Sequence, residues 1–365
     1  MIAPIFINGK FLTSPVTGVQ RYALELLCAM DTILGEPEYR KLQIVCLAPP
    51  KTQTAPAWKR IELRRVGVNP GNLWEQLDLP MIARGRLIFS PANTGPAFYS
   101  NQVITLHDAA VFGVPQAYSS LFRIKYALLF NAIVRTARLI LTVSSFSQRE
   151  LSRYLRVPAE RFTVIASGGD HLDGTLPDPS ILIKHALTRH SYLLSVASQS
   201  VHKNFGRVLQ AADLIEADLE FAAAGGSYQQ IFQKTEESAE HPNVRLLGYV
   251  SDAELKALYE NALGFIFPSI YEGFGLPVLE AMNCGCPVLC SNAASLPEVG
   301  GEAVLYFNPL SVDEMAMAIR KFLDEPGLRA DLQARGRVQA SRFRWESTAR
   351  QVLARLLACS LKGNQ

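Results

Sequence analysis

Two glutamates eight positions apart, Glu272 and Glu280, flank the run Gly273-Phe274-Gly275-Leu276-Pro277. The glycines let backbone approach a ligand closely, and Pro277 is tolerated in the first turn of a helix. The free N–H groups and positive dipole end of that helix attract an anion. Glu272 lies before the loop and Glu280 about one turn into the helix, so both can reach one ligand that lies across the helix mouth. The plainer alternative is a tight strand–turn–helix with two surface glutamates. His107-Asp108 closes another strand pattern, and the carboxyl ends of strands are where open α/β sheets bind ligands. Cys284, Cys286 and Cys290 have a spacing that can hold metal, but no histidine or fourth cysteine lies close by.

The elements that position these residues alternate along all 365 residues, a length that suits two α/β domains. In the first half, strand patterns cover Pro4–Asn8, Leu42–Ala48, Leu87–Pro91, Val103–His107, Leu139–Ser144 and Phe162–Ser167. In the second they cover Tyr192–Ala197, Leu219–Gly225, Val244–Gly248, Gly264–Pro268, Pro287–Ser291 and Ala303–Phe307. Helical patterns between them include Asn204–Ile215, Asp252–Asn261 and Val312–Asp324, and a final helix is expected over Arg342–Lys362. The segment Gly168–Pro179, rich in glycine and proline and without apolar period, is the expected boundary. Two doubly wound domains follow, 1–170 with the helix 345–365, and 180–340.

Composition narrows the class. With 48% hydrophobic and 19% charged residues, the chain is expected to be globular and well buried. No apolar stretch is long enough to span a bilayer, and the start Met1–Lys10 lacks the pattern of a signal peptide, so a cytoplasmic protein is expected. Residues 1–170 carry 19 Lys and Arg against 11 Asp and Glu, while residues 171–365 carry 17 against 22. A basic first half suggests something anionic as its partner. Within it, Tyr118–Arg138 interleaves Phe122, Tyr126 and Phe130 with Arg123, Lys125, Arg135 and Arg138. That is either a core helix with a solvated basic face or a segment that docks peripherally on an anionic membrane. Trp74-Glu75-Gln76 reads as packing.

The segment Glu272–Glu280 resembles the E-x7-E signature of the retaining glycosyltransferases of family 4. The resemblance continues through Ser295-Leu-Pro-Glu298, Ala303–Pro309, Val244–Asp252 and Val196–Asn204, with Lys203 in place. It is looser through Thr17-Gly18-Val-Gln-Arg-Tyr22, Thr105–Asp108 and Thr142–Ser147. The family implies the GT-B architecture: two doubly wound Rossmann-like domains facing a cleft, the last helix crossing back to the first. The first domain then binds the acceptor and the second the nucleotide-sugar donor. Carried over residue by residue, Glu280 accepts the ribose hydroxyls, while Glu272 with the backbone of Gly273, Phe274 and Gly275 holds the donor sugar. Leu276 opens the helix that faces the diphosphate, and Lys203 pairs with it. Gly18 lets backbone close over the phosphates, His107 faces the reacting sugar, and Tyr249 and Val250 border the base. Catalysis falls to Glu272, His107 and Lys203. Ser198 departs from the pattern, since many members carry a basic residue five positions before the lysine; His202 and Arg21 are the candidate compensations.

A nucleotide diphosphate gains negative charge as it leaves, so placed cations and amides accelerate the step. The chain has no Asp-x-Asp pair for a metal. Lys203 and the helix start are therefore expected to supply the charge, with neither metal nor cofactor and the nucleotide-diphosphate sugar as co-substrate. The runs Phe6–Leu12 and Thr17–Tyr22 resemble bacterial polysaccharide mannosyltransferases, which implies mannose from GDP-mannose and a glycan or polyprenyl-diphosphate-linked acceptor, with no nucleic-acid partner. Two alternatives stand beside this. Other GT-B chemistry, an epimerase or hydrolase, uses the same architecture. A nicotinamide-dependent oxidoreductase needs a G-x-G-x-x-G after the first strand, and Asn8–Gly18 lacks it.

Overall fold

Short apolar runs separated by amphipathic stretches fold as parallel strands with helical crossovers. The computed structural model describes residues 3–52, 56–196, 201–215, 219–225 and 243–362. These form two units: Met1–Gly168 with Trp345–Gln365, and Gly169–Arg344.

The sheet of the first unit has seven strands among the described residues, in the order β3-β2-β1-β4-β5-β6-β7. They are β1 (Ile5–Asn8), β2 (Ile44–Ala48), β3 (Glu62–Arg65), β4 (Ile88–Ser90), β5 (Gln102–Thr105), β6 (Leu139–Thr142) and β7 (Phe162–Val164). Sequence patterning finds six of these and misses β3, whose residues Glu-Leu-Arg-Arg are charged and mostly exposed. At a sheet edge a strand needs no apolar faces, and charge there blocks unwanted pairing. The ladder also stops short of Leu106 and His107, which therefore sit on the loop beyond β5.

On one face of this sheet lies the run Gly71–Leu73, Trp74–Asp78 and Leu79–Ala83, whose middle segment is π-helical. Its Trp74, Leu79 and Ala83 pack on Phe6 and Ile88. The Ser120–Thr136 helix packs Phe130, Ile133 and Val134 on Ile104 and Ile140. Register pairs Phe6 with Ile88, Ser90 with Ile104, and Ile104 with Ile140. Side chains alternate along strands, so all four isoleucine and phenylalanine anchors point the same way and both helices share that face. The Trp345–Lys362 helix packs on the Gly18–Ile33 helix. Its start is fixed by Tyr22 against Trp345, with ring centroids 5.7 Å apart, and by Arg350 in a two-pronged pair with Glu36. It begins three residues later than the apolar pattern suggests.

The second unit holds six strands among the described residues, in the order β10-β9-β8-β11-β12-β13. They are β8 (Tyr192–Val196), β9 (Glu220–Ala224), β10 (Val244–Gly248), β11 (Gly264–Phe267), β12 (Val288–Ser291) and β13 (Val304–Phe307). All six correspond to expected strands; five are largely buried apolar runs, and β10, at the sheet edge, is mostly part-exposed. Helices Asp252–Asn261 and Val312–Asp324 have the expected bounds, each opened by a serine cap, Ser251 and Ser311. The helix expected over Asn204–Ile215 is Phe205–Asp213, since Asn204 adopts a left-handed conformation at φ 61°.

Candidate functional site

In the second unit the strand order reverses between β8 and β11, and the loops beyond those two strands carry most of the expected donor-site residues. Ligands of open α/β sheets bind at that reversal. The backbone N–H of Ile270 donates to the His202 carbonyl at 2.8 Å, tying the loop after β11 to the turn Val201–Lys203. Asn204, next in the chain, donates its side-chain amide to the carbonyls of Pro268 (3.1 Å) and Pro309 (2.7 Å). The clamp brings Lys203 Nζ to 2.6 Å from Glu272 Oε1. The ammonium also lies 5.4 Å from the Phe267 ring centroid. Both charged side chains keep some exposure, so an incoming ligand can part them. Ser198 lies outside the described residues. His202, a candidate for replacing its missing charge, has its pKa lowered by burial first, with Glu272 raising it and Lys203 lowering it further. That shift disfavours the charged form that would replace the missing cation.

Ser295 shapes the loop that follows. Its hydroxyl lies 2.9 Å from the Glu272 carbonyl and 2.7 Å from that of Phe274. Gly275 takes φ 112°, a region closed to most L-residues, and a Cβ there meets Leu296 at 2.6 Å. The sharp turn aims the chain into the helix Leu276–Asn283, with Pro277 in its first turn as the sequence suggests. Gly273, Phe274, Gly275 and Leu276 thus form a continuous lip beside the Lys203–Glu272 pair.

Glu280 sits inside that helix and is more deeply held than its spacing implies. Tyr259 donates its hydroxyl to Glu280 Oε2 at 3.1 Å, and His171 Nε2 stands 3.2 Å from Oε1. Burial first, then the Glu280 charge, keeps the Tyr259 phenol protonated far above the usual range. Neither partner stands out in the sequence. Tyr259 falls on the buried side of an amphipathic helix, and His171 lies in the glycine-rich boundary segment. Tyr249, beyond the sheet-edge strand β10, is 80% exposed, and Val250 follows it half-buried.

Two expected site residues belong to the first unit. Gly18 is the first residue of the Gly18–Ile33 helix, whose Gln20 side chain reaches back to the Thr17 N–H at 3.3 Å. A Cβ built on Gly18 meets nothing within 4 Å, so the described fold does not require glycine there. His107 is buried, and that burial lowers its pKa to about 4, the Pro91 carbonyl opposing the shift. Its Nε2 lies 2.9 Å from the Pro91 carbonyl, which only accepts, so Nε2 carries the proton and Nδ1 is left as an acceptor. Tyr22 holds the imidazole edge-on, with ring centroids 4.6 Å apart. Arg21 pairs with Glu25 at 3.3 Å on its own helix.

Trp74-Glu75-Gln76 is packing only in part. Trp74 is in the core, but Glu75 is a buried carboxylate that takes hydrogen bonds from Asn8 (2.8 Å), Lys10 (2.8 Å) and Thr94 (2.7 Å). This knot sits where β1 and β4 meet, the reversal point of the first sheet. Cys284, Cys286 and Cys290 are free, and burial holds their thiols protonated, a poor state for metal ligands. Among the described residues no group of three or more His, Cys, Asp or Glu is placed to hold a metal ion.

Residues 182–339 match the family model described as glycosyl transferases group 1. O-antigen chain mannosyltransferase B of Escherichia coli is 36% identical over 278 residues, covering 71% of this chain and 72% of that protein. Serotype-specific mannosyltransferase WbdA of Escherichia coli is 29% identical over 223 residues, 58% of this chain but only 27% of that much longer protein. Among solved structures, sucrose-phosphate synthase from Thermosynechococcus elongatus superposes with a TM-score of 0.76 at 19% identity, covering 98% of this chain and 99% of that one. WaaG, a glycosyltransferase involved in lipopolysaccharide biosynthesis, gives 0.72 at 17% identity, with coverage of 96% and 98%. These two likenesses carry the fold, GT-B, and the sequence match carries the family: the chain belongs to the group 1 glycosyl transferases and is a hexosyltransferase.

Proposed function

We propose that the chain transfers mannose from GDP-mannose, with retention of anomeric configuration and without a metal, to a glycan or polyprenyl-diphosphate-linked acceptor of a cell-surface polysaccharide. The observation that carries this reading is the Lys203–Glu272 pair at the β8/β11 reversal, with Glu280 one helical turn beyond the Gly273–Gly275 lip. On binding, the donor diphosphate takes over the Lys203 ammonium and the helix start at Leu276, while the freed Glu272 accepts hydroxyls of the sugar. Glu280 turns its remaining lone pairs to the ribose, and Tyr249 and Val250 border the base. As the glycosidic bond breaks, negative charge builds on the diphosphate, and Lys203 stabilises it most in the transition state. Neutral His107 meets the reacting sugar through polar contact rather than charge. The second unit thus holds the donor and the first the acceptor, with Gly18 closing over the phosphates, in the cytoplasm. Similarity to O-antigen mannosyltransferases supports mannose, and the lack of an Asp-x-Asp pair supports independence from metal.

Transfer from GDP-mannose to a mannose-terminated oligosaccharide is expected to persist in excess EDTA. Proton NMR of the first-formed product is expected to show the anomer of the donor. An inverted product ends the retaining assignment, and turnover lost in EDTA but restored by manganese ends the metal-free one.

Gly18→Leu should leave the melting temperature nearly unchanged, as substitutions at open surface positions shift stability by about 0.5 kcal/mol or less. It should still weaken GDP-mannose binding about tenfold, because the side chain fills space the phosphates need. Unaltered calorimetric affinity removes Gly18 from the donor site.

A further inference from the structure

We propose that the first unit rests on an anionic bilayer through the outer surface of the Gly71–Ala83 run and the Ser120–Thr136 helix. The two share one face of the sheet, as the registers above establish. Their inward sides are spent on the core, yet their outward sides are not polar. Leu73, Leu77 and Met81 recur every four residues on the first, and Leu121, Ile124 and Leu128 form a row on the second. All six are between 50% and 78% exposed. The loop between the helices is fastened from both sides, since Gln76 receives the Ala97 N–H at 2.8 Å and Thr136 donates to the Ala97 carbonyl at 2.9 Å. It presents Phe98 to solvent beside them. Seven large apolar side chains exposed on segments that share one sheet face suit a surface with a partner.

Charge selects the partner. From residue 68 to 138 the basic residues are Arg84, Arg86, Arg123, Lys125, Arg135 and Arg138. The acidic residues in the same span are Glu75 and Asp78, both buried, and Asp108, half-buried. Asp78 is consumed by the backbone of Val68 and Asn69, which lowers its pKa. The exposed charged residues of this span are therefore all basic. Aliphatic side chains ringed by Arg and Lys suit the boundary between anionic headgroups and acyl chains. Tyr118, just before the helix, stacks on Phe122 at 5.3 Å, and Phe122 on Tyr126 at 4.2 Å within it, and such rings favour that depth. Among the described residues no helix is long and apolar enough to cross a membrane, so the contact is peripheral. The core-helix reading of Tyr118–Arg138 holds for the inward side alone. Arg138 leaves the outward set, because it lies past the helix end, half-buried, and hydrogen-bonds Asn101 at 3.1 Å, whereas Arg135 is exposed on the helix.

Co-sedimentation of the full chain with vesicles of phosphatidylglycerol and phosphatidylcholine, against vesicles of phosphatidylcholine alone, tests this without substrate. Failure here leaves the transfer reading untouched. The chain should bind the anionic vesicles and release them at 1 M salt, where the Debye length is about 3 Å. The triple variant Arg123→Gln, Lys125→Gln, Arg135→Gln should bind about 100-fold more weakly, since each charge contributes about 1 kcal/mol. The triple variant Leu121→Gln, Ile124→Gln, Leu128→Gln should lose at least tenfold, and both should melt like the parent because the replaced side chains are exposed. Equal binding to both vesicles, binding to neither, or parental affinity in both variants overturns the proposal. So does a dimer in size-exclusion chromatography that the leucine and isoleucine changes abolish while vesicle binding survives.

Discussion

Replacing Glu280 with alanine should reduce GDP-mannose affinity at least tenfold, and it should also destabilise the second unit. The first effect follows from charge-assisted hydrogen bonds to the ribose, at about 1.5–3 kcal/mol each. The second follows from burial: the sequence alone suggests a change that spares the fold, but Tyr259 and His171 both lean on this carboxylate. A buried polar group that loses a partner costs up to about 1–3 kcal/mol. Alanine takes the charged acceptor from both, leaving Tyr259 the longer contact to the Pro277 carbonyl at 3.4 Å. Glu280→Gln separates the effects, because it retains the shape and one acceptor oxygen while giving up the charge. Calorimetric titration with GDP-mannose, beside thermal melts, reads both. An unchanged affinity in the glutamine variant takes Glu280 out of donor recognition, whatever happens to the melting temperature.

Lys203→Ala should lower kcat by about 100- to 1,000-fold, the loss typical of removing one preorganised group from developing charge. Its effect on stability should be small. The pair with Glu272 is partly exposed, and such pairs are worth about 1 kcal/mol or less. The comparison needs a lysine that makes no hydrogen bond to the backbone. Lys256 is unsuitable, as it donates to the Leu172 and Asp173 carbonyls at 3.0 and 3.2 Å. Lys184, exposed in the last turn of a short helix, serves instead. Equal losses of turnover in the Lys203 and Lys184 variants return Lys203 to a structural role.

The second sheet is legible in the sequence because most of its strands are buried apolar runs, most of them marked by glycine or proline at one end. The edge strand β3 is not legible, since its residues satisfy solvent rather than a core. The same divide runs through the site. Glu272, Glu280 and the Gly-Phe-Gly lip are local in sequence and carry their own pattern. Partners that arrive from elsewhere in the chain carry none: His171 comes from 109 positions before Glu280, and Lys10 meets Glu75 across 65. His107 was legible as a strand-end residue, but its neutrality was not, because that depends on burial beneath Tyr22 and on the Pro91 carbonyl.

The Trp345–Lys362 helix has a consequence for how the chain is made. Its Ala349, Val352, Leu353 and Leu356 are buried in the unit whose other residues precede Gly169. On the ribosome, residues 169–344 must be threaded out between the two parts. At about 5–20 residues per second that interval lasts roughly 10–35 s. Through it the nascent first unit presents the bare side of the Gly18–Ile33 helix, while the later, contiguous unit has all its strands in hand. The half translated first therefore matures last, and its waiting apolar surface is the natural point for a holding chaperone to engage the growing polypeptide.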